Sequence, residues 1–263
     1  MKKAISLILA LVMCMSLCAC GSKTASTKPK NTIPKTTIPE TTPTETVGKI
    51  TKEEMTARAE KLDCVTAVSD YESNPVNAKD KYTDKIFIVD GYVEKINSSD
   101  VIVVPINAPH KHGRTSLKLY LTLGSDDIKK LSTNGVATFV GQVSDVTGCL
   151  AQSWGAGLHM NIAYHVDDTT SFAGKVEKIT SLTTMEGACY PYVELSVTEG
   201  DSEVRYSFVF EDGTDTAGIS EGENIIITAR MKFDQYMQHT DIKGYSYYSF
   251  EYTVKATTSI DKA

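Results

Sequence analysis

Beyond residue 85 the chain alternates apolar and polar positions with a period of two, which predicts strands. Ile86, Ile88, Asp90 and Tyr92 interleave with Phe87, Val89, Gly91 and Val93. Val101–Ile106 and Leu117–Leu123 read as the next two strands, and Ser125–Leu131 as a helix. Val136–Val146 and His159–Val166 read as two more strands. The order is three strands, a helix and two strands.

That order belongs to the OB barrel, a five-stranded Greek-key closure. A second half repeats it from Phe172–Ile179 through Tyr192–Val197, Val204–Phe210, Asn224–Phe233 and Tyr245–Val254. A Gly-rich link, Asp215–Glu223, stands where the helix was. Gly91-Tyr-Val-Glu-Lys-Ile matches Gly174-Lys-Val-Glu-Lys-Ile, Gly135 matches Gly222, and Gly157 matches Gly244. Near-constant spacing between such landmarks suggests duplication. The predicted class is mainly β: tandem OB-like five-stranded barrels behind a short helical segment. The expected divisions are 51–168 and 169–263.

The helical segment has two start signals. Thr51 and Glu54 form a capping box, with Ile50 placed to staple onto Met55. Asn74-Pro75 combines a capping residue with proline at the first helical position. From there, Tyr71-Glu72-x-Asn74-x-Val76-x-Ala78-x-x-x-Tyr82-x-x-Lys85 and Val89-x-Gly91-x-Val93 resemble the start of the tRNA_anti-like family. The resemblance covers about residues 65–166. It implies an OB fold of a kind found in bacterial lipoproteins and other exported proteins, with Val76 and Tyr82 turned inward over the barrel end. It implies no particular activity, and no functional residue transfers with it.

The N-terminal fifth of the chain has a different character. Met1-Lys2-Lys3 precedes fourteen uncharged residues, Ala4 to Leu17, too few for a membrane span of ~20. This is the layout of a secretory signal over residues 1–19. Leu17-Cys18-Ala19-Cys20-Gly21 resembles a bacterial lipobox. Cys20 would then carry the lipid and become the mature N-terminus, on the outer face of the bacterial cytoplasmic membrane. Residues 20–50 read as a tether. Positions 21–50 hold nine threonines and four of the eight prolines, with almost nothing apolar to bury.

Charge narrows the partners. The signal and tether hold seven of the 27 basic and two of the 33 acidic residues, leaving 20 and 31, a net −11, for residues 51–263. Phosphate backbones are held by basic footprints, so this balance argues against nucleic acid. Cys64, Cys149 and Cys189 allow at most one internal disulfide and have no metal-like spacing.

Three local features are candidates for chemistry. His110 and His112 would face one side of an extended segment, a spacing that suits Zn²⁺ or Cu²⁺. No further ligand lies at matching spacing, and His159, His165 and His239 are remote in sequence, so Pro109–Gly113 reads as a hairpin loop. Trp154, the only tryptophan, sits between the fourth and fifth strands in a loop position OB folds use for ligands. Tyr245 and Tyr247 would point outward from the last strand, with Tyr248, Phe250, Tyr252 and Val254 on its core face.

No nucleophile elbow, phosphate-cradling Gly loop or His-Glu-x-x-His stands in the sequence. Nothing calls for a cofactor. The reading is a lipid-anchored, extracytoplasmic, non-enzymatic binding module for a cell-envelope glycan, peptide or protein. The alternatives are single-stranded nucleic-acid binding through the OB face and an unrecognised extracellular hydrolase.

Overall fold

The computed structural model describes residues 50–98, 100–108, 110–111, 114–148, 155–199, 202–240 and 246–263. Helix α1 (Lys52–Arg58) starts on the capping box: Glu54 N donates to Thr51 Oγ1 at 3.2 Å, and Thr51 N donates to Glu54 Oε2 at 3.0 Å. Its Met55 is fully buried against Ile86 and Val140, with Ile50 packed on the same cluster. After a two-residue strand, β1 (Glu60–Lys61), comes a helix that the sequence reading lacked, α2 (Cys64–Ser73). Asp63 caps it by accepting from Thr66 N at 3.0 Å, and it buries Cys64, Ala67 and Val68.

Helix α3 (Pro75–Tyr82) begins at Asn74, whose side chain accepts from the Val76 and Asn77 amides. Ala78 and Tyr82, four residues apart, share the buried face. Val76 is turned the other way and is 69% exposed, so its predicted inward placement is corrected. A residue two positions from Ala78 is rotated about 200° around a helix. The Tyr82 hydroxyl donates to Asp70 at 2.7 Å, clamping α3 to α2.

The first barrel uses β2 (Ile86–Ile96), β3 (Asp100–Pro105), β6 (Leu117–Leu123), β7 (Val136–Gly148) and β8 (Ala156–Asp167). The sheet runs β1-β2-β3-β6-β8-β7, and β2 also pairs with β7, so these five strands close on themselves. Only β6 and β8 run parallel among the barrel pairs. A small hairpin, β4 (His110–Lys111) with β5 (Arg114–Thr115), lies between β3 and β6. The helix between β6 and β7, α4, covers only Ser125–Ile128, shorter than its pattern predicts. Val93, Val101, Val103, Leu119, Leu121, Phe139, Val143, Leu158 and Met160 fill the interior.

The remaining strands are β9 (Thr169–Thr183), β10 (Cys189–Glu199), β11 (Ser202–Phe210), β12 (Asn224–Thr240) and β13 (Ser246–Lys262). They form a closed barrel in the order β10-β11-β13-β12-β9, with β11 and β13 parallel. The connectivity repeats that of the first barrel, without a helix before β12. Phe172, Tyr206, Phe208, Phe250 and Tyr252 give this core its aromatic character. The predicted inward face of the last strand is observed at Phe250, Tyr252 and Val254.

Strands β12 and β13 run well past Phe233 and Val254, where sequence reading ended or began to lose them. Residues 234–240 are mostly polar, and there the paired backbone is joined by Tyr236 against Phe250, centroids 5.1 Å apart, and by Gln235 donating to Glu251. Gly91 on β2 and Gly174 on β9 do equivalent work. A Cβ would lie 2.5 Å from Val103 Cγ1 at the first and 2.8 Å from Ser196 O at the second. Each lets the barrel's first strand cross close over its second.

The barrels are joined by a single residue, Asp168, between β8 and β9. Tyr92 of β2 stacks on Phe233 of β12, centroids 4.0 Å apart and planes 15° from parallel. Beside the stack, Phe233 N donates to Asn134 O at 2.8 Å, and Gly135 bridges Lys232.

Candidate functional site

Several predicted site residues, Cys20, His112, Trp154 and Tyr245, lie outside the described residues. His110 pairs with Thr115 between β4 and β5, and Tyr247 pairs with His239, one step from the end of the β12–β13 register at Thr240 and Ser246. These two belong to different barrels. Among the described residues no three His, Cys, Asp or Glu side chains gather as a metal-binding group.

The face of the first barrel over β6 and β8 carries a polar-aromatic cluster that sequence reading missed. Tyr120 and His159 are register partners across the parallel β6–β8 pair. Side chains alternate along a strand, so Tyr120 points away from the interior that Leu119 and Leu121 fill. Its ring stacks on the His159 imidazole, centroids 4.6 Å apart and planes 11° from parallel. Gly157 makes the room, since a Cβ there would lie 2.8 Å from Tyr120 Cε2.

His159 Nε2 lies 2.9 Å from Thr147 Oγ1. Burial pushes the imidazole below its ordinary pKa of 6.5, against the pull of nearby Asp145, so the ring is neutral at pH 7. Asp145 is held below the usual carboxylate range chiefly by Lys79, 2.8 Å away. Two residues before Tyr120 on β6, Lys118 Nζ reaches across β3 to both carboxylate oxygens of Glu94 on β2, at 2.7 Å.

The entry to β8 is fixed by a glycine. Gly155 adopts φ +90, and a Cβ there would strike Ser116 O at 2.5 Å. The next amide, Ala156 N, donates to that same carbonyl at 2.8 Å. Strand β8 therefore starts on a glycine-dependent clamp to Ser116, immediately before Gly157 and His159. No pattern in one strand announces a pair brought together by parallel pairing between distant segments.

A groove of about 260 Å³ lies where the barrels meet. Val93, Ser132, Gly135 and Val136 line one side, and Arg230, Met231, Lys232 and Lys255 the other, with Lys130 and Asp168 among the lining residues. Asp168 Oδ1 is 2.8 Å from Nε2 of buried His165.

The closed order with parallel third and fifth strands defines an OB-fold protein. A family model described as tRNA_anti-like matches residues 1–152, and the chain belongs to that family. No curated protein matches. Two solved structures of the single-stranded DNA binding protein from Thermus aquaticus are similar, at 10% identity and TM-score 0.29. The deletion mutant aligns over 68% of this chain and 93% of its own, and the wild type over 68% and 91%.

Proposed function

We propose that this protein is a lipid-anchored extracytoplasmic binding module. Cys20 carries the anchor, residues 20–50 form the tether, and tandem OB-like domains over 51–168 and 169–263 form the displayed part. Its first-barrel face takes a cell-envelope glycan. The observation that carries the reading is the Tyr120–His159 stack, a flat, half-buried ring surface on the outer face of β6 and β8. Stacked neutral rings suit the apolar face of a sugar, and the Lys118–Glu94 pair supplies polar groups for its hydroxyls. The acidic excess disfavours a phosphodiester strand at this face. The repeated strand order and the matched crossing glycines, Gly91 and Gly174, support the tandem division.

Thermal unfolding of the purified chain against wall glycans, oligonucleotides and divalent metals tests the ligand class. A ligand present at about 100 times its Kd stabilises by ~2.7 kcal/mol. A glycan shift that disappears in Tyr120→Ala supports the proposal. A shift with oligonucleotides instead, or a glycan shift untouched by Tyr120→Ala, overturns it. Membrane partitioning of Cys20→Ala tests the anchor separately: it fails if the variant still sediments with membranes.

A further inference from the structure

The groove between the barrels gathers positive charge that the rest of the folded unit lacks. Its lining holds Lys130, Arg230, Lys232 and Lys255 against one carboxylate, Asp168. Residues 51–263 as a whole carry a net −11. The one carboxylate faces buried His165 through Oδ1.

The backbone places these cations deliberately. Arg230 and Lys232 are two apart on β12 and so share its outward face, while Met231 between them is buried. Opposite them, Arg230 pairs with Ala256 and Met231 with Val254, leaving Lys255 as the extra residue of a β-bulge. A bulge bends the strand and re-aims a side chain. Here it leaves Lys255 in the groove with its neighbours across the ladder. Lys130 reaches the groove from the other barrel, after α4.

Neutralisation within the chain is partial. Lys130 pairs with Asp127 at 3.1 Å, and Lys255 pairs with Glu211. Lys232 comes only to 3.9 Å of Asp234. Among the described residues Arg230 makes no ion pair. Like charges lining one groove repel, and an anion among them would relieve that repulsion. The Tyr92–Phe233 stack and the Asn134–Phe233 backbone bond hold the two walls together, so the walls need little rearrangement on binding.

We propose that this groove is a binding site for a diphosphate-sized oxyanion, with Arg230, Lys232, Lys255 and Lys130 as its ligands. Arg offers a planar fork to phosphate oxygens, and the lysines add point charges. The volume is below the ~300–1,000 Å³ of a drug-sized pocket, so it admits the phosphate head and leaves any larger body outside. The site is separate from the Tyr120–His159 face and stands whether or not that face binds a glycan.

The test is calorimetric titration of the full chain with inorganic pyrophosphate at 20–50 mM salt, roughly the low end of the screening range, then repeated at ~150 mM. Binding is expected at low salt, weakening as salt rises. Arg230→Gln and Lys255→Gln should each weaken it on the order of 10-fold, the size of one lost charge-assisted contact. Lys175→Gln, a cation away from the groove, should leave it unchanged. Tyr120→Ala should leave it unchanged too, which separates this site from the glycan face. A second arm uses ADP. Binding equal to pyrophosphate assigns the head of a carried diphosphate, and pyrophosphate binding alone assigns the free anion. The proposal falls if pyrophosphate does not bind at low salt. It falls equally if Arg230→Gln and Lys255→Gln bind as tightly as Lys175→Gln.

Discussion

The Tyr92–Phe233 stack joins the two barrels and can be broken one ring at a time. Phe233 is 9% exposed and also meets Tyr252 edge-on, centroids 5.7 Å apart, inside the second barrel. Phe233→Ala therefore opens a cavity as well as removing the stack. Large-to-small changes of this kind cost ~3–5 kcal/mol. For a folded unit of this size the midpoint moves roughly 2–4 °C per kcal/mol, so a fall of ~6–20 °C is expected. The part that belongs to the junction is the coupling between the rings, ~0.5–1.5 kcal/mol beyond area burial. A double-mutant cycle isolates it: wild type, Tyr92→Ala, Phe233→Ala and the double variant, each unfolded in urea and followed by circular dichroism. The double variant should be less destabilised than the sum of the singles by that coupling. Additivity within ~0.3–0.5 kcal/mol would refute the stack as an energetic link.

Other outcomes follow from single positions. Gly174→Ala should destabilise by ~1–3 kcal/mol, because its Cβ must displace the Ser196 carbonyl rather than a flexible side-chain end; an unchanged urea midpoint would contradict the close crossing. Asp63→Ala should cost ~0.5–2 kcal/mol through loss of the α2 cap, with Asp63→Asn recovering most of it. Burial holds the folded His159 below its ordinary 6.5, so the unfolded chain takes the proton first on acidification. Its contribution is present above pH 6.5 and is lost as pH falls below it; midpoints measured between pH 8 and 5 should show this slope, and His159→Gln should flatten it. At lower pH, Asp63 adds a second loss. Its folded carboxyl is held below 3.8, first by the Thr66 hydroxyl, so stability declines as pH falls through that value.

The barrel order was legible because it depends on alternation. Leu117, Leu119, Leu121 and Leu123 declare one inward face with Lys118, Tyr120 and Thr122 between them, and the turns that separate strands are visible. The capping signals at Thr51 and Asn74 were legible for the same local reason. Helix α2 was not, because its buried Cys64, Ala67 and Val68 are small and few, and its cap is a lone Asp63. Val76 was misplaced by reading a short helix as if every apolar residue faced the core. The two candidate sites were illegible for a different reason. Tyr120 meets His159 only through parallel pairing, and Lys130 meets Arg230 only through the junction. A bulge at Lys255 leaves no mark in the spacing of apolar residues, since it changes register in a pair rather than period in a strand.

The one-residue link at Asp168 bears on avidity. Where two modules hang on a long linker, the second contact is made at an effective concentration set by the linker's reach. Here strand β8 gives way to β9 across a single residue, and the rings and backbone at the junction fix the turn. A ligand long enough to touch both barrels would meet two surfaces already set at one spacing, with no chain left to order. A ligand too short for that spacing gains nothing from the second barrel. Any such ligand would be selected by its length, and a spacer of a few glycines inserted after Asp168 would remove that selection.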